Sequence, residues 1–587
     1  MRKVLILFLG FFVISLSTSF AQGFMDYVKE VKGDTLVVND YYDMNNAPNS
    51  INNVILEDTE APAGRVYELQ TLGWYPQSGG FTTPSDRPCV IVGAGDERMV
   101  KATDAPPVIS GYSGEGSSSS GGITWGNDLT VKNTSVVCGA PDGYIGWAFF
   151  GSGASNRKVV FENNMMETNW WVFVQSNANE GNSFYFKDNY FVNMSGRACR
   201  RNGGVYDNVD NNTDTMYVEN NTHVMAQGYV YKFRNYGVNF IYINHNTFIN
   251  CSNVVLETQG LQSNDIITNN IFVNCNVQPF RPNCVEDIPE QACDALPQGI
   301  IDVAVLPDTL EQVERKWLVQ GNLAYWDSRV SDLAAEANAI PINGFTTWAN
   351  QTMIMSARTQ ALFDDDTNYP YMSVDTWYDV LPTFTDPKDL LTTQVDVLKT
   401  FSLATVDTTS TATMPWWRLV ATPVEANFVY SDFPIPVDLS YSETNLVGTD
   451  GLPVGDLNWF PADKATFMAN HAEYYGALVD AWNAGTLVTT GIRELGGGKP
   501  TGFELNQNYP NPFNPTTVIS FTLPKAGKVT LKVYNALGQE VATLVNGYKT
   551  AQKYNVTFDA SRLAGGVYIY RLESNNFTQS KKMILMK

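Results

Sequence analysis

A short phrase recurs through the first half of the chain and restricts it to a stacked, repetitive architecture. It reads Val131-Lys132-Asn133-Thr134, Phe161-Glu162-Asn163-Asn164, Phe186-Lys187-Asp188-Asn189, Val218-Glu219-Asn220-Asn221, Ile243-Asn244-His245-Asn246, Ile267-Thr268-Asn269-Asn270 and Val319-Gln320-Gly321-Asn322. Successive copies are 30, 25, 32, 25, 24 and 52 residues apart. Irregular periods in this range suit the coils of a solenoid whose loops vary in length. The first position is always apolar, and so is nearly every position two past the phrase: Val136, Met166, Phe191, His223, Phe248, Phe272 and Ala324. The phrase therefore reads as strand, polar corner, strand.

The closing residue is Thr134 and then asparagine in every later copy. Asparagine at a sharp bend tolerates left-handed backbone angles, and its amide can bond neighbouring peptide groups. Stacked copies would continue that bonding from coil to coil, so the column is expected to be structural. His223 falls in the apolar column and is expected to be a packed histidine. With His245 at a corner and His471 in a helical stretch, the three histidines suggest no triad.

Short β-rich segments without intervening amphipathic helices argue against βαβ units and fit three-sided coils. On these residues, and on Gly33-Asp34-Thr35-Leu36-Val37-Val38, Cys89-Val90-Ile91-Val92-Gly93 and Pro106-Pro107-Val108-Ile109-Ser110-Gly111 as opening coils, the chain resembles right-handed parallel β-helix proteins of the pectin-lyase-like group. The resemblance runs from about Asp34 to Trp326.

A count from each corner compares side chains across coils. Eleven residues past it stand Gln175, Arg200, Lys232 and Glu257; thirteen past stand Asn177, Asn202, Arg234 and Gln259. Residues two apart on a strand share a face, so the two columns predict adjacent polar stripes on the outside of one sheet. The column between them, Ser176, Arg201, Phe233 and Thr258, departs from the apolar expectation at Arg201. Stacked about 4.8 Å apart, Arg200, Lys232 and Arg234 would form a basic patch able to receive an acidic sugar. In lytic cleavage of a uronate polymer, Lys232 would abstract the C5 proton, and Arg234 or Arg200 would neutralise the carboxylate. Gln175, Asn177, Asn202, Glu257 and Gln259 would contact substrate. Some β-helix lyases, including chondroitinase-like and alginate-lyase-like families, use Lys and Arg with calcium-holding carboxylates; the resemblance to them is in architecture. No cofactor is called for. Calcium is the one ion the lyase reading would admit, yet Glu257 is the sole carboxylate in the two stripes, too few oxygens for a calcium site. No other metal site is expected: the chain has no CxxC or Cys/His zinc spacing, and Asp364-Asp365-Asp366 reads as an exposed acidic loop. The plainer alternative for the patch is a solvated outer sheet.

The end of the chain has a different character. Asn508-Tyr509-Pro510-Asn511-Pro512-Phe513-Asn514-Pro515 opens an alternating region with strands such as Val529-Thr530-Leu531-Lys532-Val533-Tyr534. It closes with Gly565-Gly566-Val567-Tyr568-Ile569-Tyr570-Arg571-Leu572 and Lys581-Lys582-Met583-Ile584-Leu585-Met586-Lys587. Period-two strands between turn residues predict a small antiparallel sandwich. This module resembles the type A C-terminal sorting domain of the type IX secretion system, which implies that secretion machinery as a partner. Arg2-Lys3, an apolar run and the Ser19-Phe20-Ala21 ending read as a secretory signal peptide over residues 1–21. No other run is long enough for a transmembrane helix. The expected location is extracellular or on the outer-membrane surface.

Charge divides the chain in the same place. The whole carries −22. Residues 502–587 hold ten Lys and Arg against four Asp and Glu, so that module is +6 and residues 1–501 are −28. An acidic passenger argues against nucleic acid as a partner. Residues 327–495 lose the repeat and become rich in aromatics and proline. There Ala462–Trp482 has helical composition, with Ala465, Met468, Ala472, Tyr475 and Val479 near helical spacing, and should cover part of the solenoid. Residues 496–501 read as a flexible joint. Seven cysteines leave at least one unpaired; Cys284 and Cys293 could close an insertion locally, and Cys251 and Cys275 should be stacked neighbours.

The expected fold is all-β: a right-handed parallel β-helix over 22–326, an irregular and helical covering region over 327–495, and an immunoglobulin-like sandwich over 502–587. The expected function is a secreted or cell-surface protein that binds polysaccharide or has a structural, adhesive role. The alternative is a polysaccharide lyase acting on a uronate polymer by base-assisted β-elimination.

Overall fold

The computed structural model describes residues 23–95, 105–112, 122–139, 146, 148–196, 202–234, 236–256, 264–280, 297–303, 314–340, 347–406, 410–417, 421–424, 427–430, 435–488, 493–495, 503–508, 511–524, 527–549, 553–574 and 577–586. The N-terminal segment, Cys284 and Cys293 lie outside them.

Long parallel sheets dominate, as a β-helix requires. The first sheet has twelve strands, the second nine and the third six, and apart from the opening antiparallel pair their neighbours run parallel. The chain visits the sheets in turn: Asn182–Lys187 in the first, Tyr190–Met194 in the second, Gly204–Asn208 in the third, then Thr213–Glu219 beside its starting strand. The expected opening segments are strands Thr35–Val38, Cys89–Gly93 and Val108–Gly111. One strand, Met372–Val374, extends the first sheet past Trp326.

The apolar columns line one continuous core. Val131, Phe161, Phe186, Val218, Ile243, Ile267 and Val319 are buried in it, with Met166, Phe191, Phe248 and Phe272. His223 continues the ring stack, 4.9 Å from Phe191 and 4.2 Å from Phe248. Burial holds its imidazole down at about 3, and Nε2 meets the Tyr231 hydroxyl at 2.9 Å. It is the packed histidine that its column predicts.

The corner divides its work between two residues. Left-handed angles belong to the residue before the closing asparagine: Asn133, Asn163, Asp188, Asn220, His245 and Asn269, with φ between 54° and 60°, and Gly321 at 70°. The closing asparagines form the ladder. Each Oδ1 accepts from the backbone N–H and the Nδ2 of its predecessor, as in Asn189 to Asn221 and Asn221 to Asn246, all 2.9 Å. Each Nδ2 also reaches a backbone carbonyl one coil earlier, as from Asn221 to Phe186 at 2.9 Å. Thr134 starts the series by donating to Asn164.

Two outer faces are covered. Met165, Tyr190, Val192, Val224, Ile249 and Ile271 of the second sheet pack against Phe384, Leu390, Val395, Leu398, Trp417 and Trp459. The helix Pro461–Ala484 crosses the first sheet, where Tyr217, Tyr242, Ile266 and Leu318 meet Leu478 and Ala481. Its buried face differs from the predicted stripe: Met468 is exposed, whereas Lys464 and Phe467 are buried. Polar partners on the sheet explain this, because Lys464 pairs with Asp188 and His471 Nε2 lies 3.0 Å from Glu219.

The C-terminal module has two antiparallel sheets, and residues of both share one apolar core. One sheet takes its fourth strand, Arg493–Leu495, from the segment expected in the covering region, so the sandwich recruits chain from before the expected joint at 496–501. Among the described residues Cys89, Cys138, Cys251 and Cys275 are free and buried. Cys251 and Cys275 follow the paired Ile249 and Val273 on adjacent coils, which is the stacking that their register predicts.

Candidate functional site

Among the described residues, the third sheet carries no residue of either covering cluster. Its inward positions Phe81, Ile123, Phe150, Val174, Tyr206 and Tyr231 belong to the core. Alternation turns the next residue of each strand outward. Register partners then give one outer column: Thr82, Thr124, Gly151, Gln175, Asp207 and Lys232.

This column corrects the count across coils. Gln175 and Lys232 fall where expected, but Asp207 occupies the rung between them in place of Arg200. The coil from Asn189 to Asn221 is 32 residues long where its neighbours have 25, and its extra seven residues precede the strand Gly204–Asn208. A count from the corner reaches the connection instead of the strand. The same slip replaces Arg201 with Asn208, the register partner of Ser176. It also removes Asn202 from the stripe: Asn202 is buried just before the strand. Arg200, Arg201, Glu257 and Gln259 lie outside the described residues. Asn177 is exposed, and its N–H donates to Ser152 Oγ at 2.7 Å.

Asp207 organises the lower end. Arg234 binds it in bidentate fashion, Nε to Oδ1 at 2.8 Å and Nη2 to Oδ2 at 2.9 Å. The Trp171 indole N–H donates to Oδ2 at 2.7 Å. Arg234 reaches back through a left-handed backbone, φ 52°. Lys232, one rung from Asp207, holds its ammonium 5.7 Å from the Tyr229 ring centre. Asp207 is 0 % exposed, Lys232 2 % and Arg234 8 %. A buried, doubly bonded carboxylate–guanidinium pair fixes geometry. A proton-abstracting base needs access to the polymer, and Lys232 is enclosed. The upper rungs differ, with Thr82 exposed and Thr124, Gly151 and Gln175 half-exposed. Asp207 and Trp171 escaped the sequence reading because both depend on the length of the connection before Gly204. Among the described residues no three His, Cys, Asp or Glu side chains gather to hold a metal ion.

Residues 507–586 match the family described as a secretion system C-terminal sorting domain. That module implies interaction with the type IX machinery and export to the cell surface or extracellular space. Among the described residues no helix is long and apolar enough to cross a membrane. No curated protein matches the chain.

Proposed function

We propose that the exported chain is a right-handed parallel β-helix protein of the pectin-lyase-like kind, which binds polysaccharide along its third sheet and has an adhesive or structural role. One observation carries this reading. Among the described residues, the third sheet exterior has no residue in the two clusters that cover the others, and its outer column from Thr82 to Gln175 is accessible and, apart from Gly151, polar. Thr82, Thr124 and Gln175 are accessible hydrogen-bonding groups there, and Asp207, Arg234 and Trp171 brace the lower end. Neutral donors and acceptors on a rigid sheet suit sugar hydroxyls without supplying an acid or a base.

The alternative reading is a uronate lyase with Lys232 as base and Arg234, with Arg200, as charge stabiliser. It draws on the closeness of Lys232 and Arg234 to one carboxylate, and the burial of both cations weighs against it. The test is incubation with alginate, pectate and glycosaminoglycans, with and without calcium, reading retention on immobilised polymer and absorbance from unsaturated products. Retention without product supports the binding reading. Product that disappears in Lys232→Ala would replace it with the lyase, and neither signal would sink both readings for these polymers.

A further inference from the structure

The exterior of the first sheet carries a second surface, separate from the third-sheet stripe. The helix Pro461–Ala484 meets this exterior through Tyr217, Tyr242, Ile266 and Leu318, and Tyr185 packs partly buried against the edge of the same cluster. The two preceding strands, Lys158–Glu162 and Asn182–Lys187, turn Lys158, Val160, Glu162, Ser183, Tyr185 and Lys187 outward, alternating with buried Val159, Phe161, Phe184 and Phe186.

Two lysines converge on one ring here. Lys158 Nζ lies 4.9 Å from the Tyr185 ring centre, and Lys187 Nζ lies 6.0 Å from it and 4.8 Å from that of Tyr217. Among the described residues neither ammonium has a carboxylate within ion-pair distance. The nearby charges are partly engaged: Lys132 and Glu162 pair at 2.7 Å, Glu219 is held by His471 with a longer-range contribution from Lys187, and Asp214, beside Tyr185, accepts from Ser183 and Thr215. Residues 1–501 carry −28, so two lysines held over aromatic rings make a local positive site on an acidic body. Contact with a ring face contributes only about 0.5–1 kcal/mol at an exposed site, so an incoming anion could draw the ammonium groups away at small cost.

We propose that Lys158 and Lys187, flanking Tyr185, bind an anionic polysaccharide through its carboxylate or sulfate groups, with the tyrosine ring seating the sugar. The complementarity is of charge and shape. A flat sheet open along the stack accepts an extended polymer, two cations beside one ring favour paired anionic substituents over a single ion, and the half-buried ring offers an apolar seat for sugar C–H groups. This proposal stands whether or not the third-sheet stripe binds glycan.

The experiment measures binding of the full chain to polygalacturonate and to chondroitin sulfate at low ionic strength, with inorganic sulfate and anionic phospholipid vesicles as separate arms. Lys158→Gln/Lys187→Gln and Tyr185→Ala should each weaken polymer binding by about tenfold or more. Gln175→Ala on the third sheet should leave this component unchanged, which separates the two surfaces. Tyr185 is half-buried beside Tyr217, so the double lysine variant is the decisive one, and an unchanged melting profile establishes that each variant folds. Affinity unaltered within about twofold in the double lysine variant, no binding of either polymer, or inorganic sulfate competing as well as polymer at equal anion concentration would each overturn the proposal. Preference for vesicles over both polymers would overturn the choice of a polysaccharide.

Discussion

Removing one rung of the asparagine ladder should cost far more than removing its terminal hydroxyl. Asn221 is fully buried, and its Oδ1 accepts from Asn189 N and Nδ2, both at 2.9 Å. Its Nδ2 donates to Phe186 O at 2.9 Å, Glu219 O at 3.1 Å and Asn246 Oδ1 at 2.9 Å. Asn221→Ala strands two buried donors of Asn189 where water cannot replace the lost acceptor. At about 1–3 kcal/mol for each stranded group, partly relieved by relaxation, the cost is about 4 kcal/mol. Thr134→Ala removes one side-chain bond, to Asn164 Oδ1 at 2.9 Å, while the Thr134 backbone N–H still reaches that oxygen. Its cost should be about 1 kcal/mol. Because a stack of coils unfolds locally as well as globally, the assay is amide hydrogen exchange, read at Asn189, together with urea unfolding followed by tryptophan fluorescence. Faster exchange at Asn189 in Asn221→Ala is expected. Costs equal within about 1 kcal/mol, or an Asn189 amide as protected as in the parent, would refute the assignment of stability to the side-chain ladder.

Asp207→Asn should destabilise the protein by about 3–5 kcal/mol, because it leaves the buried Arg234 guanidinium without its charge partner; urea unfolding midpoints check this, and a neutral result would mean that the pair is solvated. Asp456 gives a pH signature. Burial pushes its carboxyl up to about 7, although Asn458 N–H, Lys464 and Thr222 favour the charged form. A carboxyl raised above its unfolded value of about 4 lets the native state hold the extra proton, so stability should fall as pH rises from about 4 to 7, by up to about 1.4 kcal/mol per pH unit. Asp456→Asn should flatten that part of the profile, and equally steep profiles would refute the role.

The repeat made the coils, their inward columns and the corners legible, because each follows from period-two alternation on fixed strands. Phe186 and Phe191 could be placed without a structure since they lie within five residues of a corner. The two duties of the corner were less visible: Asp188 and His245 take the left-handed angle as readily as Asn133 does, and only pairing reveals that the next residue builds the ladder. The site was the least legible part. Gln175 and Lys232 sit eleven residues past their corners, but Asp207 sits eighteen past Asn189, and nothing local announces how many residues a connection consumes. The helix misled in another way. Lys464 and His471 look like surface residues by type, and they are drawn inward by Asp188 and Glu219, which lie far away in sequence. The sorting module was plain from sequence because its motifs are contiguous.

The third sheet is proposed to hold polysaccharide without cutting it. The most direct measurement is retention on immobilised acidic polysaccharides of a parent carrying Lys158→Gln/Lys187→Gln, which silences the first-sheet surface, and of the same parent with the double variant Thr124→Ala/Gln175→Ala, with the eluate assayed for unsaturated sugars. Retention by the parent, its loss in the double variant and an eluate free of cleavage product are expected. Equal retention of both proteins, or unsaturated product from the parent, would contradict the claim.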